Sequence, residues 1–164
     1  MAWFSEEARA GLQAVATTDT TKNHALGTII RAKESSSGYV GEFIYLLGVA
    51  NTAVGSLVNY NPSTFQTALA PVGTNKPEPI AVAMSANVAS QYGWYQISGV
   101  ATVKKTSAIS MAAGVAVGVK TIGLPASTGT GKEIQGALTA AIACSAKATC
   151  LIMLNRPHMQ GRIT

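Results

Sequence analysis

Residues 93–103 read Gly-Trp-Tyr-Gln-Ile-Ser-Gly-Val-Ala-Thr-Val, and their alternation decides the fold class. Tyr95, Ile97, Ala101 and Val103 fall on one parity, while Gln96, Ser98 and Thr102 fall on the other. Successive side chains of a strand point to opposite faces, so the pattern predicts a β-strand with one core face and one wet face. Tyr95 reads as core. Trp94 lies on the polar parity, and because Trp and Tyr are enriched where proteins touch their partners, Trp94 and neighbouring Tyr92 are candidate interface residues.

Residues 39–47, Tyr-Val-Gly-Glu-Phe-Ile-Tyr-Leu-Leu, behave differently. Phe43, Tyr45 and Leu47 share one face while Val40, Ile44 and Leu46 occupy the other, so both faces need cover. A neighbouring subunit or the N-terminal arm could provide the second cover, which makes Ile44 a further candidate interface residue. Working outward, short apolar or alternating runs recur at 26–31, 57–60, 80–84, 115–122, 137–144 and 149–154, separated by Gly, Pro and Asn. Seven to eight short strands of this kind predict a mainly β protein, a small barrel or sandwich.

The N-terminus carries Trp3, Phe4, Ala8, Leu12 and Val15 at spacings near three and four, with Ser5, Glu6 and Glu7 placed like a cap and an acidic first turn. A short helical or extended arm is expected. So short a helix is marginal in isolation, and Gly11 costs up to about 1 kcal/mol relative to Ala, so the arm must dock on something. Trp3, Phe4 and Leu12 are its candidate contacts. The polar stretch 17–25 reads as an extended connector, which divides the chain into an arm and connector (1–25), a β-rich body (26–155) and a C-terminal tail (156–164).

The 164 residues suffice for one core. Only 12% are charged, against roughly 25% in an average soluble domain, so much of the surface must be small, weakly polar side chains suited to being covered. Twelve Lys and Arg against seven Asp and Glu leave +5, but the cations are dispersed and only Lys104 and Lys105 are adjacent, which argues against nucleic-acid binding. Two acids stand where an export signal would be apolar, so no export is expected. Weakly polar runs such as 137–143 fall short of the roughly 18 residues of a membrane helix, so a soluble protein with no membrane partner is expected.

Residues 127–133, Ser-Thr-Gly-Thr-Gly-Lys-Glu, superficially resemble a phosphate-binding loop, but Ala126 stands where that motif needs Gly and Glu133 where it needs Ser or Thr. A solvent loop with Gly129 and Gly131 at positive φ fits better. His24 and His158 lie outside the predicted strands and read as surface residues, and the acids show no paired-carboxylate or metal-ligand spacing. Cys144 and Cys150 lack metal or redox spacing. A terminal hairpin turning at 145–148 would bring them near-opposite and within reach of a bond, but buried free thiols are the expectation, and no bond is expected if assembly occurs in a reducing cytoplasm. Neither catalytic residue, metal nor cofactor is predicted, and a non-enzymatic protein is expected.

The order of features, residues 17–29 (TTDTTKNHALGTI), 38–60 (GYVGEFIYLLGVANTAVGSLVNY) and 80–105 (IAVAMSANVASQYGWYQISGVATVKK), then a Gly-rich close and a final hairpin, resembles the head decoration, or cement, proteins of tailed bacteriophages. The resemblance implies a β-rich, usually oligomeric and often trimeric protein on the outer capsid surface. It implies assembly in the host cytoplasm, the major capsid protein and other copies of the chain as partners, capsid stabilisation as the function, and no cofactor. The extension bearing Trp3 and Phe4 and the stretch RAKESSSG (31–38) depart from that family pattern. A carbohydrate-binding or host-adhesion module, with Tyr92 and Trp94 as a stacking platform, is the alternative.

Overall fold

The structure, a computed structural model, describes residues 3–5, 13–72, 76–129, 132–140, 144–145 and 147–161. Its strands are β1 (Trp3–Ser5), β2 (Thr18–Asp19), β3 (Ile29–Glu34), β4 (Val40–Leu47), β5 (Leu57–Tyr60) and β6 (Thr67–Leu69). There follow β7 (Ile80–Ala83), β8 (Tyr92–Lys104), β9 (Ala116–Thr121), β10 (Leu124–Ser127), β11 (Glu133–Thr139) and β12 (Thr149–Met159). The mainly β reading holds, and there is no helix among the described residues. The strand count is corrected from seven or eight to twelve among the described residues. The additions are β1, β2, β6 and β10, each two to four residues long and too short to carry a periodic signal.

All twelve strands belong to one sheet that does not close, its main path running β1-β3-β4-β8-β12-β11-β9-β10. The long strand β8 organises it. Its first half pairs with β4 on one edge and with β2 and β7 on the other, and its second half pairs with β12. Between the halves the β4 register slips: Glu42 faces Ser98 and Phe43 faces Gln96, which leaves Ile97 as the extra residue of a bulge. Gly99 completes the bend at φ +91°, where a Cβ would lie 2.2 Å from the Val40 carbonyl oxygen, so only glycine fits. The bend lets one strand serve two packing layers. Strands β5, β6 and β7 form a flap off this path, tied to the β9–β10 turn by main-chain bonds from Leu57 N to Gly123 O and Gly123 N to Ala70 O, with Ala70 N to Leu57 O closing the set inside the flap.

Three cores result. The largest fills the trough between the flap and β8-β12-β11-β9, with Leu57, Val82, Val103, Val119, Ile134 and Ile152 at its centre. A second packs Ile44, Leu46, Tyr95 and Ile97 against Val58 and Ala81. The third lies on the opposite face of β4 and β8, where Phe43, Tyr45 and Trp94 meet Ile30, Trp3 and Val15. Both faces of β4 are therefore covered within the chain.

The arm and connector contribute strands to the body: β1 pairs with β3 and β2 with the start of β8. The helical option for the arm fails at Trp3–Ser5, where main-chain bonds to β3 outweigh a weak helical period, and its remainder, residues 6–12, lies outside the described residues. At the other end β12 runs to Met159, past the boundary expected at 155, because Ile134 and Gln135 pair with Met159 and His158.

Candidate interaction site

The six residues nominated from sequence do not converge. Trp3 turns inward, its indole edge-on to Phe43 at 5.0 Å between centroids, while Phe4, its neighbour on β1, points away and is 62% exposed. Leu12 lies outside the described residues. Ile44 is buried in the chain's own second core, so the expectation of a partner over it is corrected. Tyr92 is half-buried and stacks on Tyr45 at 6.3 Å. Trp94 is 0% exposed, packed on Tyr45 at 5.0 Å and His24 at 5.3 Å. Parity placed it opposite the core because β8 has a core on each face, and its burial removes the stacking platform required by the glycan-binding alternative.

Around this aromatic group stands a polar network without a sequence signature. His24 Nε2 donates to Gln13 Oε1 at 2.5 Å, the Gln13 amide donates to Asp19 Oδ2, and the Tyr45 hydroxyl donates to the same oxygen at 3.0 Å. Burial, the largest cause, together with Asp19 pushes the Tyr45 hydroxyl pKa up, against the donor groups around it. His24 is thus half-buried and partnered rather than a bare surface residue, while exposed His158 bonds Gln135 Oε1 at 2.7 Å. The network anchors β2 and the connector over Trp94. It places acceptors and donors against one another.

Other buried polar groups also serve local structure. Glu34, in the β3–β4 turn, accepts bonds from the backbone N–H and hydroxyl of both Ser36 and Ser37, and these hold its carboxyl down at about 2. Burial pushes the Tyr95 hydroxyl up to about 12. A cavity of about 430 Å³ opens beside Trp3, Val54, Met84, Gln96 and Lys104, with the Gln96 side-chain oxygen Oε1 buried and unpartnered. Gly129 has no positive φ, contrary to expectation, and Gly131 lies outside the described residues.

Cys144 and Cys150 are joined in a disulfide with Cα atoms 5.3 Å apart, which corrects the expectation of free thiols. Return of the chain from β11 into β12 brings the two together, as the hairpin geometry allowed. A bond between Cys144 and the Met111 main chain in both directions fixes the far side.

The described surface carries an apolar row. In register across four strands, Val100 faces Met153, Met153 faces Leu138 and Leu138 faces Ala116. Directly opposed residues share a face, so the four side chains form one row on the outside of β8-β12-β11-β9. Leu138 is 45% and Met153 51% exposed. Half-buried Leu151 widens the row on β12, and Lys104 lies on the same face. No family model matches this chain, and no curated protein matches it.

Proposed function

We propose that this chain is a non-enzymatic structural protein that self-associates on the outside of a tailed-phage capsid and stabilises the shell by bridging major capsid subunits. The observation that carries the reading is the apolar row Val100–Met153–Leu138–Ala116. Adjacent apolar side chains in one register row, with Leu138 and Met153 its most exposed members, mark a protein contact surface, and each large side chain covered there contributes about 1.5–3 kcal/mol before ordering costs. Repetition by symmetry multiplies such contacts. Three separate cores sealed by the chain itself give a rigid clamp in which little conformational entropy remains to be lost on docking. The disulfide suits a protein that works on a virion surface, an oxidising setting once the host has lysed. The order of sequence features, which resembles that of head decoration proteins, is in keeping with this reading.

The test is co-sedimentation of the purified chain with heads of its parent phage assembled without it, beside analytical ultracentrifugation of the chain alone. The reading requires saturable binding to the heads, a higher pressure or temperature of head rupture, and an oligomer at micromolar concentration. Heads that neither bind the chain nor gain stability would overturn it.

A further inference from the structure

Strand β1 divides its aromatics between two faces, Trp3 inward and Phe4 outward. Register carries the outward face across the sheet: Phe4 lies opposite Lys33 and Lys33 opposite Val40, while Arg31 lies opposite Glu42. Ile29, Arg31 and Lys33 alternate with buried Ile30, Ala32 and Glu34, so all three stand on the exposed side of β3. From β12, Arg156 reaches Glu42 with Nε and a terminal nitrogen each 3.1 Å from Oε2. The face therefore holds three cations against one carboxylate, Glu42, which Arg156 engages, and keeps an excess of positive charge. At its rim a recess of about 110 Å³ opens between Ile29, Tyr60, Pro79, Ile97, Arg156 and Pro157.

We propose that the face formed by Phe4, Ile29, Arg31, Lys33 and Arg156 docks on an acidic protein surface that inserts a small apolar side chain into the recess beside Ile29. The proposal rests on the capsid reading above and names the face turned toward the shell, leaving the row through Met153 for contacts between copies. A second copy is the poorer occupant. A twofold contact would set Arg31, Lys33 and Arg156 against themselves, and like charges meeting across an interface are strongly disfavoured. Of the five described carboxylates four are already engaged, Asp19 by Tyr45, Glu34 by its serines, Glu42 by Arg156 and Glu78 by Asn59, and the fifth, half-buried Glu133 on β11, is a single charge against three cations. The exposed aromatic and apolar recess favour a protein over a polyanion such as DNA, which offers the recess nothing to bury.

The experiment compares Arg31→Glu/Lys33→Glu with a charge-matched control, Lys120→Glu/Lys147→Glu, whose lysines are exposed elsewhere. Each full-length variant is titrated against heads lacking the chain and run on immobilised poly-glutamate and on immobilised duplex DNA. The face variant should bind heads about tenfold or more weakly with unchanged oligomeric mass, while the control stays within about twofold. Phe4→Ser should weaken head binding without altering retention on poly-glutamate. Lys33→Glu alone keeps the test if the double variant does not fold. Equal losses in face and control variants, or loss on DNA alone, would overturn the proposal. Wild-type chain that ignores the heads defeats the capsid reading instead, and poly-glutamate retention that falls selectively in the face variant then still supports the acidic partner.

Discussion

The two halves of β8 share one strand but have different surroundings. From Gly93 to Ile97 every residue is buried, with Trp94 in one core and Tyr95 in another. Beyond Gly99 the pattern alternates, with Ala101 and Val103 buried and Thr102 and Lys104 exposed. The first half is sealed by the chain's own layers, with β5 and β7 on one side and the arm and connector on the other. The second half has a core on one side and the open row through Val100 on the other. Within β8, aromatic content therefore does not mark the exposed half: the richest aromatic stretch is the most enclosed, and the exposed stretch is aliphatic.

The largest effect that separates the halves should come from Trp94→Ala. Removing a fully buried indole that packs on Tyr45 and His24 should cost about 3–5 kcal/mol in stability, read by denaturant unfolding. A loss below about 1 kcal/mol would mean that the first half is not a sealed core. Met153→Glu, beside the second half, should leave monomer stability within about 0.5 kcal/mol, since the side chain is half exposed. Its effect should fall on association, weakening the oligomer about a hundredfold in ultracentrifugation, equivalent to about 2.7 kcal/mol. Unchanged mass would remove the row as a self-contact.

Much of this contrast is legible in the sequence. Alternation in 93–103 and the two-sided apolar pattern of 39–47 correctly give the strands, and the latter requires cover on both faces. Parity within one strand says which residues share a face but not what lies across that face, so Trp94 and Ile44 read as contact residues when their cover is the chain itself. Gln96 counts as wet by residue type, yet it is buried because its amide donates to the carbonyl oxygens of Ser98 and Val100 at the bulge, and no spacing rule reports a bulge. The link from His24 to Gln13 has a sequence separation of 11 across a stretch whose one strand, β2, is two residues long, which leaves no period to detect. The row through Leu138 and Met153 depends on register between strands, and a sequence read one strand at a time does not contain it.

A smaller effect concerns the disulfide, which sits behind the second half because Cys150 pairs with Val103. Replacing both cysteines by serine opens a ring with a sequence separation of 6, worth about 2 kcal/mol in the chain-entropy view. The loss should be local. Amide exchange should speed up in 101–104 and 149–152 while 93–97 keep their protection, and equal loss in both halves would show that they unfold as one unit.

The smallest effect, and the one most sharply defined by pH, lies in the β3–β4 turn beside the proposed docking face. Glu34 has its carboxyl held at about 2, below an ordinary value of 4.5, chiefly by the Ser37 hydroxyl and then by the backbone N–H groups of Ser37 and Ser36. Its folded-state pKa is depressed, so its contribution to stability is fully present above about 4.5 and is lost as pH falls from there toward about 2. Other carboxylates titrate over the same range, so the wild-type melt alone does not isolate the group. The difference between wild type and Glu34→Gln does, since glutamine keeps the shape but not the charge. The gap in melting temperature should be constant from pH 8 to about 5 and should narrow steadily below it. A gap that does not change with pH would mean that the serines hold Glu34 no more tightly than water does. The turn would then owe its conformation to Gly38, whose φ of +73° reverses the chain, rather than to the carboxylate.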